Sequence, residues 1–203
     1  MIGLNEVDKH FSHRSDNIDQ LQYIAKELNY YHVFSPSISK ITKKTIHEKE
    51  YGNGLLSRFP IVQTNNHLFD MKASFIETRS ILEATVKCNS ELINVYVTHL
   101  SLLPFLHKKQ SEFFKEQVKK PVIILGDWNM KPNTKKWKMV VNDFIDVWAE
   151  KGEGLGFTFP STKPRMRLDY IFVSKIIRIV NVEVFDSIPV ASDHLPVIST
   201  LSL

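Results

Sequence analysis

The chain has 203 residues, 43% of them hydrophobic, which is enough to bury a core and too apolar for a disordered polypeptide. Its 26 basic against 22 acidic side chains leave a formal charge of +4, an excess that tilts toward anions without choosing among nucleic acid, anionic lipid and small phosphorylated ligands. A single cysteine, Cys88, excludes an internal disulfide framework and makes a reducing, cytoplasmic compartment the expectation; no apolar run approaches the roughly 18 residues of a membrane span.

In chain order, Met1-Ile2-Gly3-Leu4 reads as the middle of a strand and is followed by a polar loop. Ile18, Leu21, Ile24, Ala25 and Leu28 recur at helical spacing behind a cap-like Ser15-Asp16. Ser35 to Lys49 has no apolar periodicity and reads as an exposed loop. Strands are expected over Gly54–Arg58, Ser80–Val86 and Leu92–Thr98, the last alternating apolar and polar residues. A helix over Pro104–Val118 carries Phe105, Leu106, Phe113, Phe114 and Val118. The continuous apolar run Pro121–Gly126 fits a strand covered on both faces. Helical turns around Trp137 to Val141 precede strands at Leu168–Ser174, Ile176–Phe185 and Pro196–Leu201. Strands in runs with few helices, and no linker long enough to split the chain, argue for one α/β domain over residues 1–203 in which two mixed sheets pack face to face.

Polar residues that can do chemistry cluster at strand ends. In Gly126-Asp127-Trp128-Asn129, extended geometry puts Asp127 and Asn129 on one face at a sheet rim, pairing a base or metal ligand with a neutral donor. The same residues also suit a plain turn before Pro132. Ser192-Asp193-His194-Leu195-Pro196 sets an acid beside an imidazole, although such a pair in a loop is often inert. Asp169 opens an apolar strand, where its carboxylate must be paired or hydrated, and a histidine is the expected partner. Thr98-His99-Leu100 ends the alternating strand. Glu6, in Gly3-Leu4-Asn5-Glu6-Val7-Asp8, is a hard oxygen ligand of the kind magnesium prefers, or a solvated surface residue. Arg79 could hold a phosphate or make a surface ion pair.

Taken together with Tyr51–Ile61, and in this order, these segments resemble the endonuclease/exonuclease/phosphatase superfamily with its DNase I-like fold, most closely its small bacterial metal-dependent hydrolases. The resemblance runs over essentially the whole chain. It implies a four-layer α-β-β-α sandwich and a magnesium-dependent phosphodiesterase or phosphatase, with manganese as an alternative ion. Glu6 matches the family's magnesium-binding glutamate and Asp193 a residue often close to metal. Asp127 matches the aspartate that orients or activates the attacking water, and Asn129 the asparagine that contacts the scissile phosphate. His194 matches the catalytic histidine, Asp169 the carboxylate that orients a catalytic histidine, His99 an acid or phosphate ligand, and Arg79 a substrate-phosphate contact.

The family pattern normally opens with a strand ending in a metal-holding asparagine and then a helix, a unit of roughly 30 residues. Here Met1 stands where the second strand is under way, so the first strand and helix are expected to be missing, through a truncated start or a degraded copy. The expected substrate is a nucleic acid or a lipid or sugar phosphate head group, with no protein partner. The basic clusters Lys40 to Lys49, Lys131 to Lys138 and Lys163 to Arg167, near Trp128, Trp137 and Phe157, could follow a nucleic-acid backbone or be solvated loops. A non-catalytic binding module is the alternative to an enzyme.

Overall fold

The apolar start forms strand β1 (Ile2–Lys9), which pairs antiparallel with β3 (Lys49–Ser57), and β3 pairs in turn with β2 (Tyr31–Lys40). The computed structural model describes residues 1–41, 47–70, 77–118 and 120–202, grouped in two units, Met1–His99 and Leu100–Leu203.

In the first unit, helix α1 (Gln20–Leu28) buries Leu21 and Ala25 against Val7 of β1 and Leu56 of β3. Its cap is Asp19, whose carboxylate accepts the Gln22 amide at 2.9 Å, and not the expected Ser15-Asp16. Ser15 instead ends a 3-10 turn (His13–Ser15) and donates to the carboxylate of Asp8 at 2.9 Å. Asp8 is fully buried and also receives Ser12 and a two-pronged bond from Arg14, both prongs at 2.9 Å. Burial alone would raise its pKa, but these hydrogen bonds outweigh it and hold the carboxyl below the ordinary range.

The segment expected to be a loop, Ser35–Lys49, is strand up to Lys40 and again from Lys49; residues 42–46 lie outside the described residues. Pro36 and three serines conceal β2 from a periodicity reading. The ladder to β3 slips between Pro36 and Ile38, which lets a residue without an N–H sit in a strand.

A second antiparallel sheet runs β4 (Ile61–Phe69), β5 (Arg79–Cys88), β6 (Glu91–His99). β4 carries the polar run Gln63–Asn66 and has no apolar alternation, so only its ladder to β5 reveals it. Strands β2 and β3 pack on β5, and β1 and β3 on β6. Buried Asn53 stitches the layers: its amide donates to the Ser80 carbonyl at 2.8 Å, and its oxygen accepts from Asn5 at 2.7 Å. The Asn5 amide also donates to the Thr98 carbonyl at 3.0 Å.

Gly52 is required by this packing, because a Cβ there would run into the Ser35 carbonyl oxygen and stand 2.8 Å from Pro36 Cα. Gly52→Ala is therefore expected to destabilise the protein by about 1–3 kcal/mol. The check is a urea titration, in which the midpoint falls at unchanged slope.

The second unit begins with helix α2 (Pro104–Gln117) and strand β7 (Val122–Asp127), followed by α3 (Lys135–Val141), β8 (Ile145–Asp146) and α4 (Val147–Lys151). Strand β9 (Asp169–Val173) runs antiparallel to both β7 and β8, and β10 (Arg178–Val184) pairs with β11 (Val197–Ser202) as a hairpin. The core centres on fully buried Trp128, whose ring lies 5.0 Å from that of Phe114 and 4.8 Å from that of Phe172.

Asp146 ties several elements of this unit together. It caps α4 through the amides of Trp148 and Ala149, accepts the Trp137 indole N–H at 2.7 Å, and pairs with buried Arg167 at 2.8 Å. Among the described residues no helix is long and apolar enough to cross a membrane.

Candidate functional site

In the second unit, the register of β7 against β9 sets Asp127 directly opposite Asp169. Two carboxylates facing each other across a ladder repel, and a cation between them relieves the repulsion. His194 supplies it. Its Nδ1 lies 2.8 Å from Asp169 Oδ2, and its Nε2 lies 4.0 Å from Asp127 Oδ2. Burial lowers the pKa of this imidazole, but the Asp169 hydrogen bond and the charges of Asp169, Asp127 and Asp193 together raise it to about 9. At neutral pH His194 is therefore an imidazolium, with Nδ1–H donated to Asp169 and Nε2–H on the side of Asp127. Phe159 packs on the ring, with centroids 4.7 Å apart.

Asn129 follows in a left-handed conformation, φ 45°, which asparagine tolerates better than most residues. Its backbone N–H donates to Asp127 Oδ1 at 2.7 Å, and its side-chain amide donates to the Leu100 carbonyl at 2.9 Å. Asp127 thus has one oxygen held by the chain and the other facing the imidazolium. The turn suggested by Asp127 and Asn129 is present, and it sets their side chains at the end of β7. Asp193 adds its charge to His194 from an exposed position: its carboxylate has the Ser192 hydroxyl at 3.5 Å, and its main-chain carbonyl accepts the Ser161 amide at 2.7 Å.

In the first unit, Glu6, Arg79 and His99 lie together. Glu6 sits at a bulge of β1 with φ 58°, and its carboxylate is 3.8 Å from His99 Nδ1. Arg79 donates from Nη1 to that same Nδ1 at 3.1 Å and pairs through Nη2 with Glu77 at 3.0 Å. Because arginine can only donate, His99 Nδ1 accepts and its proton resides on Nε2. Tyr51, not singled out from the sequence, hydrogen-bonds Glu6; burial, then the charges of Glu6 and Glu77, raise the pKa of its hydroxyl.

The donor chemistry of Glu6 suits a hard divalent ion. Its side chain is 52% exposed, and one or two carboxylates with several waters are the usual protein share of a magnesium shell. Among the described residues no cluster of three or more His, Cys, Asp or Glu is gathered for a closed metal cage.

The structure also removes two sequence-based candidates from any nucleic-acid surface. Trp128 is buried in the aromatic core, and Arg167 is buried against Asp146 with its guanidinium over the Tyr170 ring at 4.6 Å. The sequence reading missed His107 and Gln110 of α2. Both are fully buried, and with Leu106 and Phe114 they form the inner face of that helix, whereas Phe105 is exposed. The spacing of Leu106, Gln110 and Phe114 at i, i+4 and i+8 was the signal available.

A family model described as Endonuclease/Exonuclease/phosphatase family matches residues 1–194. No curated protein matches the chain. Among solved structures, an endonuclease/exonuclease/phosphatase from Beutenbergia cavernae is similar with a TM-score of 0.75 at 20% identity, covering 99% of this chain and 62% of that one. A family protein from Leptotrichia buccalis gives 0.74 at 21% identity, covering 100% and 86%. A mannosyl-6-phosphatase from Bacteroides thetaiotaomicron gives 0.69 at 17%, covering 91% and 81%. The chain thus spans 62% of the length of the first of these proteins. At such identities the likeness is one of fold, and the mixed α/β class expected from the strand runs is borne out.

Proposed function

The chain belongs to the endonuclease/exonuclease/phosphatase family, and on that premise we propose that it hydrolyses phosphoesters, phosphodiesters foremost, by in-line attack of water. The observation that carries this reading is the 4.0 Å gap between Asp127 Oδ2 and His194 Nε2. That gap is too long for a hydrogen bond and leaves room for one oxygen atom held by both groups. Asp127 accepts a proton from the attacking water and aims it. The His194 imidazolium, fixed by Asp169, donates Nε2–H to a phosphoryl oxygen as negative charge builds there. Asn129 adds a neutral amide beside them. His99 offers Nε2–H, and Arg79 brings a charge suited to phosphate.

Glu6 is the carboxylate we assign to magnesium, or to manganese in its place; Asp193 is, within its own unit, a second candidate carboxylate for such an ion. Such an ion would supply Lewis-acid polarisation of phosphoryl oxygens and charge stabilisation for the leaving oxygen.

The test is a single panel of DNA, a phosphatidylinositol-type lipid, sphingomyelin and sugar 6-phosphates, each with magnesium, with manganese and with EDTA. Turnover of at least one substrate that EDTA abolishes and added magnesium or manganese restores is expected. Absence of turnover across the whole panel would overturn the reading, and turnover indifferent to EDTA would overturn its metal dependence.

A further inference from the structure

We propose that His107, assisted by Gln110, is a positioning residue that fixes the Asp127 carboxylate through the peptide joining Trp128 to Asn129; this rests on the hydrolase reading above. One rigid, planar peptide group carries both the Trp128 carbonyl and the Asn129 N–H. Its oxygen end accepts from His107 Nε2 at 2.8 Å, and its N–H end donates to Asp127 Oδ1 at 2.7 Å. Rotating this plane moves both ends together. His107 therefore sets the direction of the hydrogen bond that orients Asp127.

The imidazole suits this task because its tautomer is fixed. A carbonyl can only accept, so the proton resides on Nε2, and Nδ1 lies 3.2 Å from the Ser111 hydroxyl. Burial, then the charge of Lys136, lowers its pKa to about 4, so the ring is neutral throughout the working pH range. Gln110, three residues on and on the same face, accepts the Ser101 amide at 2.9 Å. It thereby holds the turn whose Leu100 carbonyl takes the Asn129 side-chain amide and whose Leu100 N–H donates to the Asp127 carbonyl at 2.9 Å. Two polar side chains on a buried helix face thus brace a left-handed residue that would otherwise relax.

His107→Leu removes the donor, whereas His107→Gln keeps an N–H at comparable reach. Two readouts are taken. In the amide NMR spectrum, the Asn129 backbone signal, displaced by its charge-assisted bond to Asp127, is expected to move or broaden in the leucine variant and to return in the glutamine variant. In turnover, kcat is expected to fall on the order of 10–100-fold in the leucine variant, with most of the loss recovered by glutamine. The pH profile keeps its shape, because a neutral His107 does not titrate between pH 5 and 10 on the roughly ±1-unit scale over which a single group changes charge. Adding His107→Leu to Asp127→Asn is expected to cost nothing further, as for residues acting through one another.

An unchanged Asn129 signal in a folded leucine variant, or a full additional loss in the Asp127→Asn background, would overturn the proposal. Should the leucine variant fail to fold, His107→Asn replaces it, since its shorter amide does not reach the Trp128 carbonyl. If the unaltered protein turns over no phosphoester, the hydrolase reading fails on its own, and the Asn129 signal still decides whether His107 fixes this peptide.

Discussion

His194→Gln is expected to lower kcat by ~10²–10⁴-fold on whichever phosphoester the protein turns over, with the fold intact by circular dichroism. The substitution removes the positive charge that stands 4.0 Å from Asp127 Oδ2. It also leaves Asp127 and Asp169 opposed across the ladder without the imidazolium that offsets their repulsion. The companion variant is Asp169→Asn, which keeps the shape and removes the charge. With the His194 pKa raised to about 9, the proposed activity of the unaltered protein is expected to fall as pH rises through that value, whereas in Asp169→Asn the alkaline limb is expected to move toward the ordinary histidine value.

The sign for stability follows from the same shift. A folded-state pKa above the unfolded one adds stability that is full below the unfolded value and disappears as pH rises through the folded one. Asp169→Asn should therefore cost more stability at pH 6 than at pH 10, on the roughly ±1-unit scale of a single titration. Denaturation at both pH values checks this. Equal losses, or an alkaline limb that stays in place, would count against the pairing.

Asp146→Ala is expected to destabilise the protein by about 3–5 kcal/mol, the scale for stripping one partner from a buried ion pair. Three losses coincide. Arg167, 5% exposed at its side chain, is left charged and unpaired; α4 loses its cap; and the Trp137 indole N–H loses its acceptor. For a chain of this size the melting temperature should drop by about 6–20 °C. Adding Arg167→Leu should recover part of the loss, because the stranded cation goes with it. A double variant less stable than Asp146→Ala alone would show that the guanidinium stabilises the fold chiefly by packing on Tyr170.

What could be read from the sequence follows from where physics leaves a one-dimensional trace. The run Val122–Leu125 is apolar because it is covered on both sides, and it was legible as a strand that ends in a carboxylate. Asp169 had to be paired because it opens an apolar strand, and the structure gives it His194. β2 and β4 left no such trace, since serines, Pro36 and the polar run Gln63–Asn66 are tolerated only through ladders to distant residues. Arg167 looked like one more surface cation because its partner Asp146 lies twenty-one positions away. The inner polar face of α2 left only a partial trace: the spacing of Leu106, Gln110 and Phe114 marks the face, but the main-chain partners that let His107 and Gln110 be buried are not written in the pattern. The opposition of Asp127 and Asp169 is a matter of strand register, which a single strand cannot reveal.

Trp128 stands between Asp127 and Asn129 in the chain, yet its indole is sunk among Phe114 and Phe172. The protein therefore carries an optical probe wired to its own rim. Of its three tryptophans, Trp128 alone is fully buried and should emit at the shorter wavelengths of a dry environment, while Trp137 and Trp148 are partly open to solvent. Any perturbation that loosens the Asp127–Asn129 backbone must also let water reach that indole, so a red shift in its fluorescence would reveal a disordered rim before unfolding begins.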